Sequence, residues 1–191
     1  MNKFERNYME IGILGLPQSG KSALFEIMTG IKSRDMHGES TVKGIANVPD
    51  NRFDELVKIY KPKKVTPAKV PFIDINITGE NQWNSIRQAL STVDGILHIV
   101  DGFTSSNVAE IVKRYNKLAD ELIFADLVII ETKLTRLAKT PKAALKGDEA
   151  IQVETLPRAK ETLEAGKPLR TLSFTAQEEH ALKSFSFWTL R

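Results

Sequence analysis

The sequence predicts an α/β fold followed by an α-helical region, and three observations carry this prediction. Short apolar runs typical of buried strands alternate with amphipathic helical segments between residues 8 and 100. A glycine-rich turn follows the first apolar run and precedes a helix that ends at Gly30. From Asn107 onwards, apolar residues recur at helical spacing, in alternating steps of three and four.

The glycine-rich turn has the pattern G-x-x-x-x-G-K-[ST], which binds phosphate in P-loop proteins. Gly15 and Gly20 leave room for backbone N–H groups around a phosphate, and the following helix adds the positive end of its dipole. Lys21 would contact the β- and γ-phosphates as the catalytic cation, and the Ser22 hydroxyl would bind Mg²⁺. A chance match in a glycine turn is the alternative. The predicted nucleotide-binding residues are Gly15, Pro17, Gln18, Ser19, Gly20, Lys21, Ser22 and Ala23.

Two further positions carry side chains suited to holding Mg²⁺. Asp74 closes the apolar run 70–75, and an aspartate at a strand end that faces a phosphate loop commonly holds the ion through water. The alternative is an aspartate that caps a turn. Ser40 and Thr41 end the polar loop 31–42, where a hydroxyl group would complete the Mg²⁺ shell, and Thr41 is the predicted ligand. The alternative for both is an ordinary solvated loop residue.

Between the phosphate loop and the helical region, apolar spacing predicts three strands and two helices. The strands are 44–48, 70–75 and 96–100, and Pro71 indicates an early or edge position for the second. His98, inside the third strand, is interpreted as a buried structural histidine. The first helix begins at Pro49 and stops at the basic run 61–64, for which a solvated helix end and a nucleic-acid contact are the two interpretations.

Residues 107–172 are predicted to form an antiparallel two-helix arm. Pro157 predicts a kink or a fresh helix start in its second half. Between positions 133 and 170 the arm carries nine basic and five acidic residues, so a solvated helix surface is the alternative to an RNA or ribosome contact. The heptad spacing that predicts a coiled-coil partner helix is formed by Ile123, Leu127, Ile130, Leu134 and Leu137.

The patterns divide the chain into three predicted regions. Residues 1–106 form the N-terminal part of the α/β domain, 107–172 form the arm, and 173–191 form a helix that returns towards the α/β domain. Thr175 and Glu178 predict a capping box at the start of that helix. The last residues, 187–191, are apolar and uncapped, so the chain is predicted to be truncated.

Composition limits the classes of function. The 191 residues carry 27 basic and 24 acidic side chains, a net charge of +3, which is compatible with an RNA partner without indicating one. The absence of cysteine excludes disulfides and thiolate metal sites. The N-terminus lacks the apolar segment of a signal peptide, and no apolar run approaches membrane-spanning length. We expect a cytoplasmic protein with no membrane partner.

In their order along the chain, these segments resemble the YchF / Obg-like ATPases of the TRAFAC class of P-loop GTPases. The resemblance covers nearly the whole chain and rests on a linear series of matches, because the loop motif alone is generic. The matching stretches are Gly12-Ile13-Leu14-Gly15-Leu16-Pro17, Ser19-Gly20-Lys21-Ser22-Ala23-Leu24-Phe25, Val48-Pro49-Asp50 with Arg52, Ile59-Tyr60-Lys61-Pro62, Phe72-Ile73-Asp74-Ile75, His98-Ile99-Val100, Glu121-Leu122-Ile123, Ala125-Asp126-Leu127 and Gly166-Lys167-Pro168.

The resemblance implies a three-layer P-loop NTPase, here an incomplete Ras-like G domain, with an inserted α-helical coiled-coil hairpin. It implies ATP or GTP as ligand with Mg²⁺, hydrolysis of ATP often in preference to GTP, and association with ribosomes. It also implies a base-reading strand with an N-x-x-E motif and a ubiquitin-like TGS domain, both absent from this sequence. The N-x-x-[DE] match from Asn47 to Asp50 lies before switch II and cannot serve.

Three departures from the family bear on hydrolysis. Ile77 stands where the family's D-x-x-G has its glycine, and Gly38 stands where switch I has its threonine. The switch II that follows is about six residues shorter. The family lacks the catalytic glutamine of Ras-type enzymes, so no general base can be named. Two functions therefore stay open: a Mg²⁺-dependent NTPase with slow hydrolysis linked to translation, and a degenerate nucleotide-binding scaffold that hydrolyses little.

Overall fold

The computed structural model describes residues 9–32, 41–75, 86, 91–141 and 144–190. It divides the chain into two compact units, residues 1–104 and 105–191, so the boundary lies two residues before the predicted one. The predicted further division after residue 172 stays a prediction. Gly38, Ser40 and Ile77, which the sequence singled out, lie outside the described residues.

The first unit is built on a four-stranded sheet. Its strands are β1 (Ile11–Gly15), β2 (Thr41–Asn47), β3 (Lys69–Ile75) and β4 (Gly95–Ile99). They lie in the order β2-β3-β1-β4, with β1 parallel to both β3 and β4 and β2 antiparallel to β3. Because parallel strands end at the same edge of a sheet, the carboxyl ends of β1 and β3 lie side by side, and ligands bind at this edge in α/β proteins.

Two helices whose bounds fall within the described residues accompany this sheet. The first, α1 (Lys21–Thr29), packs Phe25 against the sheet residues Ile13, Val42 and Phe72, and Phe25 is fully buried. Burial of such a side chain contributes about 1.5–3 kcal/mol. The second, α2 (Asn51–Tyr60), begins at the predicted turn, where the Asp50 side chain accepts a hydrogen bond from the Arg52 N–H at 3.0 Å. No residue of α2 is buried.

The strand predictions hold with two corrections. Thr41 and Val42 belong to β2 and not to the preceding loop, because the pairing with β3 begins at Thr41 opposite Ile75. Of the two positions that Pro71 indicated, the early one within the strand is confirmed, whereas β3 is not an edge strand, because it lies between β2 and β1. The proline is tolerated at the third position of β3, because the register with β1 begins one residue later, at Phe72. His98 lies in β4 opposite Leu14, and burial lowers its pKa.

The second unit contains α3 (Val108–Ala138), α4 (Asp148–Glu164) and α5 (Ala176–Leu182), with 3₁₀ turns at Leu169–Thr171 and Lys183–Phe185. Glu149 near the start of α4 accepts from Lys133 at 2.9 Å and Arg136 at 3.1 Å near the end of α3, so the two helices lie side by side. The buried residues of this core are Ile130, Leu137, Leu145, Leu156, Ala159, Leu163, Leu169, Leu182 and Phe187. Supercoiling of the pair stays a prediction.

Helix α4 continues through Pro157, so the predicted fresh helix start at this position is wrong. A proline inside a helix removes one backbone hydrogen bond and costs about 3 kcal/mol. Leu156 and Ala159 are fully buried on either side of it, and Leu163 is buried one turn later. Burial of these residues offsets the cost and holds the helix together across the proline.

A buried aspartate of α3 holds the segment 187–190. The Asp126 carboxylate is 0% exposed and accepts hydrogen bonds from the Trp188 N–H at 3.1 Å, the Thr189 N–H at 2.8 Å and the Thr189 hydroxyl at 2.7 Å. The Leu169 N–H donates to the same hydroxyl oxygen at 3.3 Å. These bonds join the end of the described chain to the helical core.

Helix α5 packs on the same unit. It begins with the predicted capping box, in which Thr175 accepts from the Glu178 N–H and Glu178 accepts from the Thr175 N–H. The Gln152 side chain of α4 donates to the Ala181 carbonyl at 2.7 Å, and Arg158 lies 2.9 Å from the Glu178 carboxylate. The predicted helix is therefore present and contacts α4.

Candidate nucleotide-binding site

The predicted nucleotide-binding residues all lie between the end of β1 and the first turn of α1. Gln18, at φ 63°, and Gly20, at φ 93°, adopt left-handed backbone conformations, and the Ser19 N–H donates to the Leu16 carbonyl at 3.2 Å. Gly20 caps α1 with no side-chain hydrogen bond, and the first turn carries no acidic residue. Gly20 thus provides no side-chain cap at the start of α1, and a helix terminus of this kind favours an anion.

Gly15 is required by the close approach of its neighbours. A Cβ atom at this position would lie 2.5 Å from the Ile99 carbonyl oxygen of β4 and 2.6 Å from the Ser19 hydroxyl oxygen. Backbone atoms cannot move aside cheaply, so any side chain here would displace the loop from the sheet edge. The first glycine of the motif therefore fixes where the loop leaves β1.

A buried lysine and a buried aspartate lie behind the loop. Lys21, 9% exposed, donates from its Nζ to the Leu16 carbonyl at 2.9 Å. Burial lowers the pKa of Lys21, and the negative charge of Asp74 opposes this shift. Asp74 is 0% exposed, and within the described residues neither of its carboxylate oxygens has a hydrogen-bond partner. The same holds for the Ser19 hydroxyl. Buried polar atoms are usually satisfied, so these three atoms mark a place built for a further group.

The structure brings the three predicted metal-binding residues to one edge of the sheet. Ser22 is the second residue of α1, and Asp74 lies one residue before the end of β3. Because β2 is antiparallel to β3, Thr41 at its start is at this edge too, next to Val42, which pairs with Asp74. Thr41 is half-buried in a strand and not a solvated loop residue.

These residues fit Mg²⁺. The ion typically takes one or two carboxylates from a protein and completes its shell with water and substrate phosphates, and the orphaned Asp74 oxygens supply the carboxylate. Across the part of the chain that the structure describes, no group of three or more His, Asp and Glu side chains could hold a metal ion. A magnesium site of the P-loop type needs no such group.

No sequence signal assigned a role to Phe103, which lies at this site. Its Cε1 atom is 3.8 Å from the position that a Cβ on Gly20 would take, and its side chain is 73% exposed. The Asp101 carboxylate holds the turn by accepting from the Phe103 N–H at 3.0 Å, the Thr104 N–H at 3.1 Å and the Thr104 hydroxyl. The Asp-Gly pair at 101–102 is a turn signal that predicts the bend but not the aromatic contact.

Comparison with known proteins identifies relatives along most of the chain. It is 32% identical over 195 residues to the ribosome-binding ATPase YchF of Bacillus subtilis and 31% identical over 197 residues to that of Escherichia coli O157:H7. It is 28% identical over 201 residues to the Obg-like ATPase 1 of Oryza sativa subsp. indica. These alignments cover 93%, 94% and 97% of this chain and 53%, 54% and 51% of the relatives, so the chain spans about half of their length.

The fold has a counterpart among solved structures. The structure of the Schizosaccharomyces pombe YchF GTPase superposes with a TM-score of 0.71 at 23% identity, covering 97% of this chain and 55% of that one. At this identity the likeness concerns the fold alone. No protein-family model matches the chain. In the described residues, no helix is both long and apolar enough to cross a membrane.

Proposed function

We propose that this chain, which is similar to the YchF and Obg-like ATPases, binds a nucleoside triphosphate together with Mg²⁺ at the loop 15–23. The nucleotide is ATP or GTP. We propose that it hydrolyses the nucleotide slowly and acts at the ribosome in the cytoplasm. The observation that carries the proposal is the Asp74 carboxylate, fully buried beside Lys21 with neither oxygen hydrogen-bonded among the described residues. No base-reading strand is assigned within these 191 residues, so both nucleotides stay candidates.

The charges around the loop suit a polyphosphate. Lys21 donates to a carbonyl of its own loop, and a phosphate oxygen would replace that carbonyl with a stronger, charged acceptor. The uncapped start of α1 adds partial positive charge at the same place. Binding would thus place an anion between a buried cation and the positive end of a helix.

Ser22 and Asp74 would hold Mg²⁺, with Thr41 as the third candidate ligand at the start of β2. When the ion is bound, it would neutralise part of the phosphate charge. The role of the chain's own residues is to present one buried carboxylate and one or two hydroxyl groups at a single sheet edge. That preorganisation removes the cost of gathering them when the nucleotide arrives.

Lys21 is the residue that would promote hydrolysis, by stabilising the charge on the transferring phosphoryl group. No general base is present in the motifs, so positioning and charge would carry most of the rate. Slow turnover is the expected consequence, because removal of a water-positioning residue costs P-loop enzymes orders of magnitude in rate.

We include the ribosome as a partner because two of the relatives are named ribosome-binding ATPases. We propose that the helix pair α3–α4 is the coiled-coil hairpin that the resemblance implies, with residues 1–106 as the G-domain part, 107–172 as the arm and 173–191 as the returning segment. The basic surface of the arm is one candidate for the ribosome or RNA contact. Among the described residues of the arm, the basic side chains that form ion pairs are Lys133, Arg136, Arg158 and Lys160.

Titration with fluorescent ATP and GTP analogues, with Mg²⁺ and with EDTA, tests the binding half. We expect Lys21→Ala to weaken binding of both nucleotides by on the order of 100-fold, since a buried hydrogen bond to a charged phosphate contributes about 1.5–3 kcal/mol. Lys32→Ala is the matched control, because Lys32 is an exposed lysine shortly after α1. Equal affinities for intact protein and Lys21→Ala would remove the phosphate-loop assignment.

The second candidate is a nucleotide-binding scaffold that hydrolyses little. Ile77 and Gly38, which replace two switch residues of the family, favour it. Phosphate release by the purified protein separates the two candidates, with Lys21→Ala as the blank. A rate above the blank supports the NTPase, whereas nucleotide binding with a rate equal to the blank supports the scaffold.

A further inference from the structure

A dense group of lysines occupies the end of α2 and the connection to β3. Residues 58–69 contain five lysines and no acidic residue, namely Lys58, Lys61, Lys63, Lys64 and Lys69. All five are exposed. The chain as a whole has a net charge of +3, so the remaining 22 basic and 24 acidic residues leave the rest of it at −2. The positive character of this protein is therefore local.

The lysines stand on a fixed frame. Lys58 lies in the last turn of α2, and Lys61 caps the helix in a left-handed conformation with its N–H donating to the Val57 carbonyl at 2.9 Å. The connection is tied at its far end, where the Ala68 carbonyl accepts from the Val48 N–H at 2.9 Å. Lys69 then begins β3. The backbone that carries these charges therefore needs little ordering when a partner binds.

Local structure explains only part of the group. A cation in the last turn of a helix interacts favourably with the helix dipole, which accounts for Lys58. In the parts of the chain that the structure describes, none of the five lysines forms an ion pair. The helical unit differs, because Lys133 and Arg136 are neutralised by Glu149, and Lys160 by Glu131 and Glu164.

Apolar and aromatic side chains accompany the charges. Ile59 and Tyr60, in the final turn of α2, are 70% and 75% exposed. An exposed tyrosine can stack on an unpaired base, and single-stranded RNA is recognised by basic residues combined with such stacking. A purely solvated helix end would need neither side chain.

We propose that the surface formed by Lys58, Lys61, Lys63, Lys64 and Lys69 together with Tyr60, here called the lysine surface, binds single-stranded RNA. The lysines contact the phosphate backbone, and Tyr60 stacks on an unpaired base. The inference deepens the ribosome association proposed above and rests on it, and it assigns the RNA contact to the sheet unit rather than to the helical arm. Charge complementarity selects the partner, since RNA carries the repeated phosphates that five fixed cations match.

Fluorescence anisotropy with a labelled single-stranded RNA, over a salt series from about 50 to 200 mM, tests the proposal. In the triple variant Lys58→Gln/Lys63→Gln/Lys64→Gln we expect the affinity to fall by on the order of tenfold or more at the low-salt end. The slope of log affinity against log salt should decrease by about 2, because each lost phosphate contact to a single strand removes about 0.7. Tyr60→Leu should weaken binding with no change of slope.

The matched control is Lys139→Gln/Lys146→Gln/Lys167→Gln, three exposed lysines of the helical unit that form no ion pair with a described residue. It should bind RNA like the intact protein. Equal RNA binding by the two triple variants would overturn the lysine surface, as would the absence of RNA binding by the intact protein. If the triple variant at Lys58, Lys63 and Lys64 lost as much affinity for duplex DNA as for RNA, the proposal would also be overturned, since that would indicate a general polyanion contact.

Nucleotide binding of the same samples keeps the two proposals apart. A lysine-surface variant that binds nucleotide normally and loses RNA supports the inference with the site at the loop intact. Intact protein that binds RNA through the lysines but binds no nucleotide would overturn the proposed nucleotide function and leave the surface standing.

Discussion

Two aspartates, one in each unit of the molecule, are equally buried and differently used. Asp74 in β3 and Asp126 in α3 are both 0% exposed. Asp126 accepts three hydrogen bonds from Trp188 and Thr189, whereas the oxygens of Asp74 accept none among the described residues. A buried carboxylate is costly unless it is satisfied. Asp126 is satisfied by the chain itself, and Asp74 fits a partner that arrives with the nucleotide.

The difference separates a structural group from a functional one on physical grounds. Hydrogen-bond donors that belong to the fold stabilise it through their acceptor, so removal of the acceptor leaves them buried and unsatisfied. Until its ligand binds, a carboxylate with no hydrogen-bond donors gains only the attraction of the nearby Lys21 charge, while its burial lowers stability. Loss of the carboxylate should therefore lower stability at Asp126 but not at Asp74, which the following experiments measure.

The largest effect is expected at Asp126. Asp126→Ala leaves two N–H groups and one hydroxyl without an acceptor, so we expect the free energy of unfolding to fall by about 3 kcal/mol or more. Urea denaturation followed by circular dichroism measures it. Asp120→Ala, at an exposed aspartate of the same helix, is the control and should change stability by less than about 0.5 kcal/mol. Similar losses for the two variants would contradict the structural role of Asp126.

At Asp74 the same logic predicts a loss of ligand binding without a loss of stability. Asp74→Asn removes a buried charge but keeps the shape, so the free energy of unfolding should stay level or rise by about 1 kcal/mol. Mg²⁺ should strengthen nucleotide binding by the intact protein and no longer do so in the variant, a change of about tenfold or more at saturating Mg²⁺. Binding in EDTA should not weaken.

The result that would contradict this assignment is equally specific. If Asp74→Asn lowers stability as Asp126→Asn does, the carboxylate is a structural group and its partner has been missed. If Mg²⁺ strengthens nucleotide binding equally in both proteins, the ion does not use Asp74.

Gln152 is intermediate between the two aspartates, because one of its two side-chain polar atoms has a hydrogen-bond partner. Its amide N–H donates to the Ala181 carbonyl at 2.7 Å, while its Oε1 atom has no partner among the described residues. We expect Gln152→Leu to cost about 1 kcal/mol in urea denaturation, well below Asp126→Ala, because a single neutral hydrogen bond is lost. The exposed Glu154→Leu on the same helix is the control. A cost as large as that at Asp126 would show that the number of satisfied bonds does not set the ranking.

The site could be predicted from sequence because its signals are local. Residues 11–29 contain the strand, the glycine turn, the lysine and the helix. Asp74 is recognisable as an aspartate near the end of an apolar strand. The role of Asp126 could not be predicted, since its donors lie 62 and 63 residues away along the chain. Helical periodicity around it predicts a face but not which residue meets the returning segment.

Charge shows the same limit. Counting residues indicates a basic arm, yet the structure neutralises several of its cations through partners 13 and 16 residues apart, while the lysines at 58–69 stay exposed. Phe103 was missed for a related reason, because its position near Gly20 depends on the order of β1 and β4 in the sheet. Local sequence patterns do not predict which residues meet across long distances in the chain.

The smallest expected effect is a shift in pH dependence that links Asp74 to Lys21. Burial lowers the pKa of Lys21 and the charge of Asp74 opposes this, so Asp74→Asn should lower the Lys21 pKa further. Phosphate binding needs the ammonium form, so nucleotide affinity in EDTA should fall as pH rises through this pKa, which lies below the ordinary value of 10.5. In Asp74→Asn the fall should begin at lower pH, whereas Asp54→Asn, at an exposed aspartate of α2, should leave it in place. Coincident profiles for all three proteins would show that the Asp74 charge does not reach Lys21, and the carboxylate would then be placed for the metal ion alone.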